Sequence, residues 1–297
     1  MRQFALSVIV AGVLSGAAAA QETAAPSGPS AQPAQGAPSV AAAASTAAPA
    51  SQAEAPAVKP VTITGGVDFT TSYVFRGIPQ EHNGLIAQPW FDLGATVYRG
   101  QGTLSSVSLN VGNWHSQHSG PTGKWYEADY YASATMAIGK LKPGALFTSY
   151  TSPNDRFATV YELAAVLALD DSASAFPLSP RAIVAFELDG QADGGASKGT
   201  YLELGVRPSV KLTRALSLAI PVKIGMSLAD YYEGPLGDDL FGFFDTGFIA
   251  SVPLTSGSVS WDIHGGVDLL WFGDNLRVAN GGDGFKPVGS IGIGFSY

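Results

Sequence analysis

Ile291-Gly-Ile-Gly-Phe-Ser-Tyr297, the final seven residues, alternate apolar with small side chains and stop on an aromatic ring. Period-two alternation is the signature of a β-strand: Ile291, Ile293, Phe295 and Tyr297 share one face, and Gly292, Gly294 and Ser296 share the other. A strand of this kind, ending on an amphipathic ring, is how a bacterial outer-membrane β-barrel closes, because such a ring is favoured at the membrane–water interface. A soluble sheet protein can also end on an alternating strand, so the rest of the chain must discriminate.

The amino terminus carries a charged start at Arg2, an apolar run from Phe4 to Leu14 and small residues ending Ala18-Ala-Ala20. This pattern predicts a secretory signal peptide over residues 1–20. Its apolar run is too short to cross a bilayer as a helix. Residues 21–60 are mostly Ala and Pro with scattered Ser and Gln, a composition that buries too little surface to offset the entropy of ordering; they are expected to form a disordered periplasmic linker. The chain contains no cysteine, which excludes disulfides and lipid attachment through a thiol.

Residues 61–297 read as one alternating segment after another. Leu202, Leu204, Val206, Val210 and Leu212 oppose Tyr201, Glu203, Arg207, Ser209 and Lys211; Val259, Trp261, Ile263, Val267, Leu269 and Trp271 oppose Ser260, Asp262, His264 and Asp268. Twelve segments are predicted, at 61–75, 86–99, 103–114, 124–139, 143–151, 157–169, 179–189, 200–211, 215–228, 240–254, 257–271 and 285–297. Several match the roughly 9–11 residues a tilted strand needs to cross a bilayer, and the number is even, as single-chain bacterial barrels require. Tight turns at Gly100-Gln-Gly102, Lys140-Leu-Lys142 and Thr255-Ser256 alternate with longer polar stretches at 76–85, 115–123, 189–199, 229–239 and 272–284. Short turns at one end and long loops at the other is the asymmetry of an outer-membrane barrel with both termini in the periplasm. The stretch 170–178 breaks this rhythm, being long where a tight turn is expected. It leaves room for a short helix or for a strand count wrong by two. The expected fold is thus an all-β, antiparallel transmembrane barrel of about twelve strands in the outer membrane.

In a barrel of this kind the polar faces line the interior. They hold Asp68, Asp92, Glu127, Asp129, Glu162, Glu187, Glu203, Asp245, Asp262 and Asp268 against Arg76, Arg181, Arg207 and Lys223, in keeping with a net charge of -8. If the lumen is open, these are the pore-lining residues, and the excess of acids favours cations. The alternative is that the charges pair across a closed, structural barrel. The expected contacts are outer-membrane lipid, the barrel assembly machinery through the closing strand, and small polar solutes, with oligomers open as an option.

The run Asp68-Phe-Thr-Thr-Ser-Tyr-Val-Phe-Arg-Gly-Ile-Pro-Gln80, followed by the strand at Gln88-Pro-Trp-Phe-Asp92, resembles the opening hairpin of the TorF-like porins of proteobacterial outer membranes, which carry Ser-Asp-Tyr-x-Phe/Trp-Arg-Gly-Ile/Val-Ser/Thr-Gln near the start of the mature chain. Tyr73, Phe75, Arg76, Gly77 and Gln80 match. Thr71-Ser72 and Pro79 depart from the pattern, and the motif covers about 13 residues. The resemblance implies a porin whose solute is unassigned. Tyr73 and Phe75 suit an aromatic girdle at the outer rim, Arg76 at the strand end can turn inward toward a carboxylate, and Gly77 permits the turn.

Other functions find less in the residues. Some outer-membrane barrels hydrolyse lipids with a Ser-His pair, but His82, His115, His118 and His264 show no register with a serine on a neighbouring strand, and His115 and His118 read as solvated loop residues. His115-x-x-His118 lacks a third metal ligand. No catalytic residue, metal or cofactor is expected. The acidic domain has no basic stripe for nucleic acid, and Gly281-Gly-Asp-Gly284 lacks the Lys of a phosphate loop. A soluble exported β-sandwich would need its oily faces packed against each other.

Overall fold

The structure is a computed structural model and describes residues 61–297 except 214 and 257. The expected signal peptide and linker lie outside the described residues. In chain order the elements are β1 (Val61–Thr70), β2 (Tyr73–Phe75), β3 (Ile78–Glu81), β4 (Ile86–Arg99), β5 (Leu104–His118), β6 (Glu127–Ile138), β7 (Leu141–Thr151), β8 (Val160–Leu169), β9 (Arg181–Asp189), β10 (Thr200–Val206), β11 (Ser209–Lys211), β12 (Ser217–Ala219), β13 (Val222–Ala229), β14 (Glu233–Gly234), β15 (Gly237–Asp238), β16 (Phe241–Ser256), β17 (Val259–Phe272), α1 (Asp274–Ala279) and β18 (Phe285–Ser296).

Fourteen of these strands form one antiparallel sheet that closes on itself, since β1 pairs with β18 and β16 pairs with both β13 and β17. β10 and β11 are one wall strand interrupted at Pro208, and β12 and β13 another interrupted at Pro221; proline cannot donate to the ladder. Counting each interrupted pair once gives a closed barrel of twelve wall strands, as the alternation predicts. The terminal heptapeptide sits at the seam, with Ile293 opposite Val67 on one side and Ile263 on the other.

The two faces separate as expected. Outward side chains such as Val111, Leu163, Phe186, Leu204, Phe248, Ile263 and Ile291 are exposed around the circumference, covered by no second layer of the described protein. Closure and this uncovered belt exclude the sandwich. Both ends of the described chain emerge at one end of the barrel, where short turns join the strands; the stretch 170–180 there is an irregular turn in which Asp171 accepts hydrogen bonds from the backbone of Leu178 and Ser179, with no helix and no effect on the strand count. The one helix among the described residues, α1, lies instead in the loop 273–284 at the far end. None of the described helices is long and apolar enough to cross a membrane.

The first wall strand stops at Thr70, five residues earlier than its alternation suggests. From there the chain leaves the wall: β2 and β3 form a two-stranded hairpin that pairs only with itself. This hairpin is the element around which the interior is organised.

Candidate functional site

The far half of the lumen is a packed core rather than a pore. Tyr150, Tyr201, Tyr231, Tyr232, Phe243, Ile78 and Ile86 are all fully buried there, and most belong to the inward faces or loops at the far ends of the wall strands. The β2–β3 hairpin fills their centre. Tyr73 and Phe75 therefore do not form an outer girdle; both are buried inside the barrel, Phe75 against Tyr150 with ring centroids 6.1 Å apart. The chain bends at Thr71, and extended backbone resumes at Tyr73 inside the barrel.

The hairpin turns on two residues, Arg76 (φ 44°) and Gly77 (φ 84°), with Phe75 paired to Ile78. Two-residue turns that match the strand twist need positive φ at one or both central residues, and here both have it. Glycine adopts it freely, whereas arginine is strained there, and its side chain supplies what holds it. The Arg76 guanidinium donates from Nη1 to Glu162 Oε2 (2.6 Å) and the Tyr231 hydroxyl (2.6 Å), and from Nη2 to Glu162 Oε1 (2.9 Å). Its Cζ lies 4.0 Å from the centroid of the Tyr201 ring and 5.3 Å from that of Tyr231. Tyr150 donates to the same Glu162 carboxylate at 3.1 Å. A fork-on-carboxylate pair between aromatic faces is among the strongest arrangements a guanidinium can make.

Further side chains tether the hairpin in every direction. Tyr73 donates to Glu127 on β6 (2.8 Å), Tyr126 donates to Gln80 (3.0 Å), Tyr232 donates to the Arg76 carbonyl (3.0 Å), and Asn280, just beyond α1, donates to the Gly77 carbonyl (3.0 Å). The matched motif residues Tyr73, Phe75, Arg76, Gly77 and Gln80 thus all belong to the hairpin.

At the rim, Glu81 accepts hydrogen bonds from the backbone of His82, Asn83 and Thr122 and from the Thr122 hydroxyl. Burial pushes this carboxyl up, but those four donors outweigh it and hold it down at about 2. Asp193, in the loop 190–199, goes the other way. Burial raises it to about 6, with the neighbouring Glu233 adding to the rise and backbone donors from Gly195 and Glu233 opposing it.

His115 and His118 are not loop residues; both lie on β5, and His118 is buried. Its Nε2 is 2.7 Å from Ser116 Oγ and its Nδ1 2.5 Å from Thr122 Oγ1, which in turn donates to Glu81. A serine and a histidine two residues apart on one strand face the same way, a register that neighbouring-strand reasoning overlooks. Ser116 is fully buried with the hairpin in place, and the chain of contacts joins the hairpin to the loop 119–126.

The sequence-predicted interior residues fall into two groups. Glu127, Asp129, Glu162 and Glu187 face inward but are sealed beneath the hairpin and loops rather than lining an open pore. Glu187 is occupied by the backbone of Ala192 and Gly199, and Asp129 is fully buried against the Glu127 carboxyl. Asp245 is buried as well, and the others are half-buried along the inward faces of the wall strands. Asp92 accepts from Asn110 at 2.8 Å, Lys223 pairs with Asp245 at 3.1 Å, and Tyr201 donates to Glu203 at 2.8 Å. Arg181 interacts with Glu203, and Arg207 with Asp268. His264 bridges Asp68 and Asp262, 2.6 Å from each, across the barrel seam. No group of three or more acidic or histidine side chains suited to a metal ion occurs among the described residues.

No family model and no curated protein matches the chain. Among solved structures it is similar to the NanC porin (14% identity, TM-score 0.41, covering 80% of this chain and 98% of that one). It is also similar to the translocator domain of the autotransporter NalP from Neisseria meningitidis (13%, 0.39, 81% and 88%) and to the outer membrane channel DcaP of Acinetobacter baumannii (9%, 0.35, 80% and 95%).

Proposed function

We propose that this protein is an outer-membrane channel for small polar solutes, with a lean toward cations, whose outer half is shut by its own first hairpin. The observation that carries the reading is that β2–β3 shares no backbone ladder with the wall. Side-chain bonds and ring packing hold it, so it can leave the lumen without opening the barrel, whereas a permanent filler has no need to be separable. The uncovered apolar belt is what a lipid-facing wall requires. With both termini in the periplasm, the plug and the long loops lie on the outer side of the membrane. On the half-buried inward faces Asp68, Asp92, Glu203, Asp262 and Asp268 outnumber Arg181, Arg207 and Lys223, which favours cations where protein walls limit screening.

The resemblance to TorF-like porins supports the same reading, because the run that carries it is the plug itself. Outer-membrane lipid and, during assembly, the machinery that engages closing strands are the partners this reading requires; association of protomers is compatible with it. A hydrolase reading has a Ser-His contact, but it is buried with the hairpin in place.

Replacing residues 73–81 with a short Gly-Ser linker and recording in planar bilayers tests the channel. The expected result is a large, steady, cation-preferring conductance in place of small or intermittent wild-type currents. A correctly folded variant, judged by its altered gel mobility before and after boiling, that conducts no better than wild type establishes a closed structural barrel instead. Anion preference removes the charge argument.

A further inference from the structure

The groups around Arg76 come from four places on the barrel, all of them outside the hairpin. Glu162 stands on β8 and Tyr150 on β7, Tyr201 stands on β10, and Tyr231 lies in the loop after β13. Glu162 presents both carboxylate oxygens side by side, Tyr150 orients one of them, Tyr201 presents its ring face, and the Tyr231 hydroxyl accepts a third hydrogen bond. This is the acceptor-and-face complement of a planar guanidinium, assembled on the wall. With Arg76 withdrawn, the Glu162 carboxylate, whose side chain is 2% exposed while the hairpin is in place, loses its counterion, and a cation entering the lumen can take that position.

We propose that this wall cage is a binding site for solutes bearing a guanidinium group, and that Arg76 occupies it as a built-in competitor. The proposal rests on the channel reading and names its solute class. A guanidinium solute entering the lumen and the hairpin compete for one site, so solute binding and opening are linked: whatever fills the cage in place of Arg76 removes the strongest tether of the plug.

The test uses the full chain in detergent with Arg76→Ala, probed with ethylguanidinium at millimolar concentration against the neutral, isosteric ethylurea. Ethylguanidinium is expected to raise the unfolding temperature of Arg76→Ala in a saturable manner. Ethylurea is expected to leave it unchanged, and wild type, whose cage is filled, to respond weakly. In Arg76→Ala/Glu162→Gln the affinity is expected to fall by about tenfold or more, the loss of a charge-assisted bond. Equal responses to the two compounds, or an undiminished response in the double variant, overturn the proposal. Should Arg76→Ala not fold alone, rescue of its folded yield by ethylguanidinium but not ethylurea supports the cage, and failure of rescue by either overturns it. Because binding is read in detergent, binding without bilayer current removes the channel and keeps the cage, and current without binding does the reverse.

Discussion

Gly292 illustrates how tightly single positions are fixed inside this barrel. It stands between Asp68 and His264 on the two flanking strands, and a methyl group there falls on the Asp68 carboxylate and lies 2.6 Å from His264 Nε2. Gly292→Ala is therefore expected to break the seam bridge and destabilise the barrel by about 1–3 kcal/mol, the usual effect of overpacking. The temperature at which the unboiled gel band disappears measures it, and an unchanged midpoint shows that the seam does not depend on the bridge. Glu81 gives a pH dependence. Its carboxyl is depressed to about 2 from an ordinary value near 4.5, so the stability it contributes is complete above the ordinary value and is lost as pH falls through the interval down to about 2. Glu81→Gln is expected to cost about 1.5–3 kcal/mol at neutral pH, the worth of bonds to a charged group, and nothing near pH 2. Parallel unfolding curves of the two proteins at all pH values contradict this. Alternation alone places Gly292 and Asp68 on the inward face; that both lie in one row with His264 depends on the register of three strands.

The hairpin β2–β3 is the element whose behaviour matters most. Gly77 has φ 84°, and a Cβ there falls on the Leu276 side chain of α1, so Gly77→Ala strains the turn and pushes against the helix that covers it. The expected consequence is a loosened plug. Trypsin has no access to the buried Arg76 of the folded wild type, and cleavage after Arg76 is expected to appear in Gly77→Ala while the barrel remains folded. Equal resistance in both proteins shows that the turn tolerates the change. Most strands are readable from alternation, and their ends fall within a few residues of the expected ones. The exceptions have a common cause. Period two reports only that backbone is extended, so it does not separate a strand of the wall from a hairpin inside it, nor the outer end of β5, with His115 and His118, from the loop that follows. The helix α1 is shorter than two turns and too brief for a helical period to emerge.

For the barrel as a whole, the outward belt is expected to behave as a lipid-facing surface. Leu163→Arg, at the middle of β8 and facing out, is expected to destabilise the protein in bilayers by about 2–4 kcal/mol, whereas Thr96→Arg, facing the lumen, is expected to be tolerated. Reversible unfolding in lipid vesicles compares them, and similar losses for the two argue against a membrane-embedded wall. The strand count, the two faces, the seam and the preponderance of inward acids were all legible in residue order, because each follows from a local period of two repeated along the chain. Residue order marked Arg76 and Glu162 as inward charges, yet not as partners: they are 86 positions apart and meet only because the first hairpin folds into the barrel rather than out of it. That choice depends on whether a closed ring of twelve strands leaves a hollow of the right width and polarity, a property no single segment carries until all of them are joined.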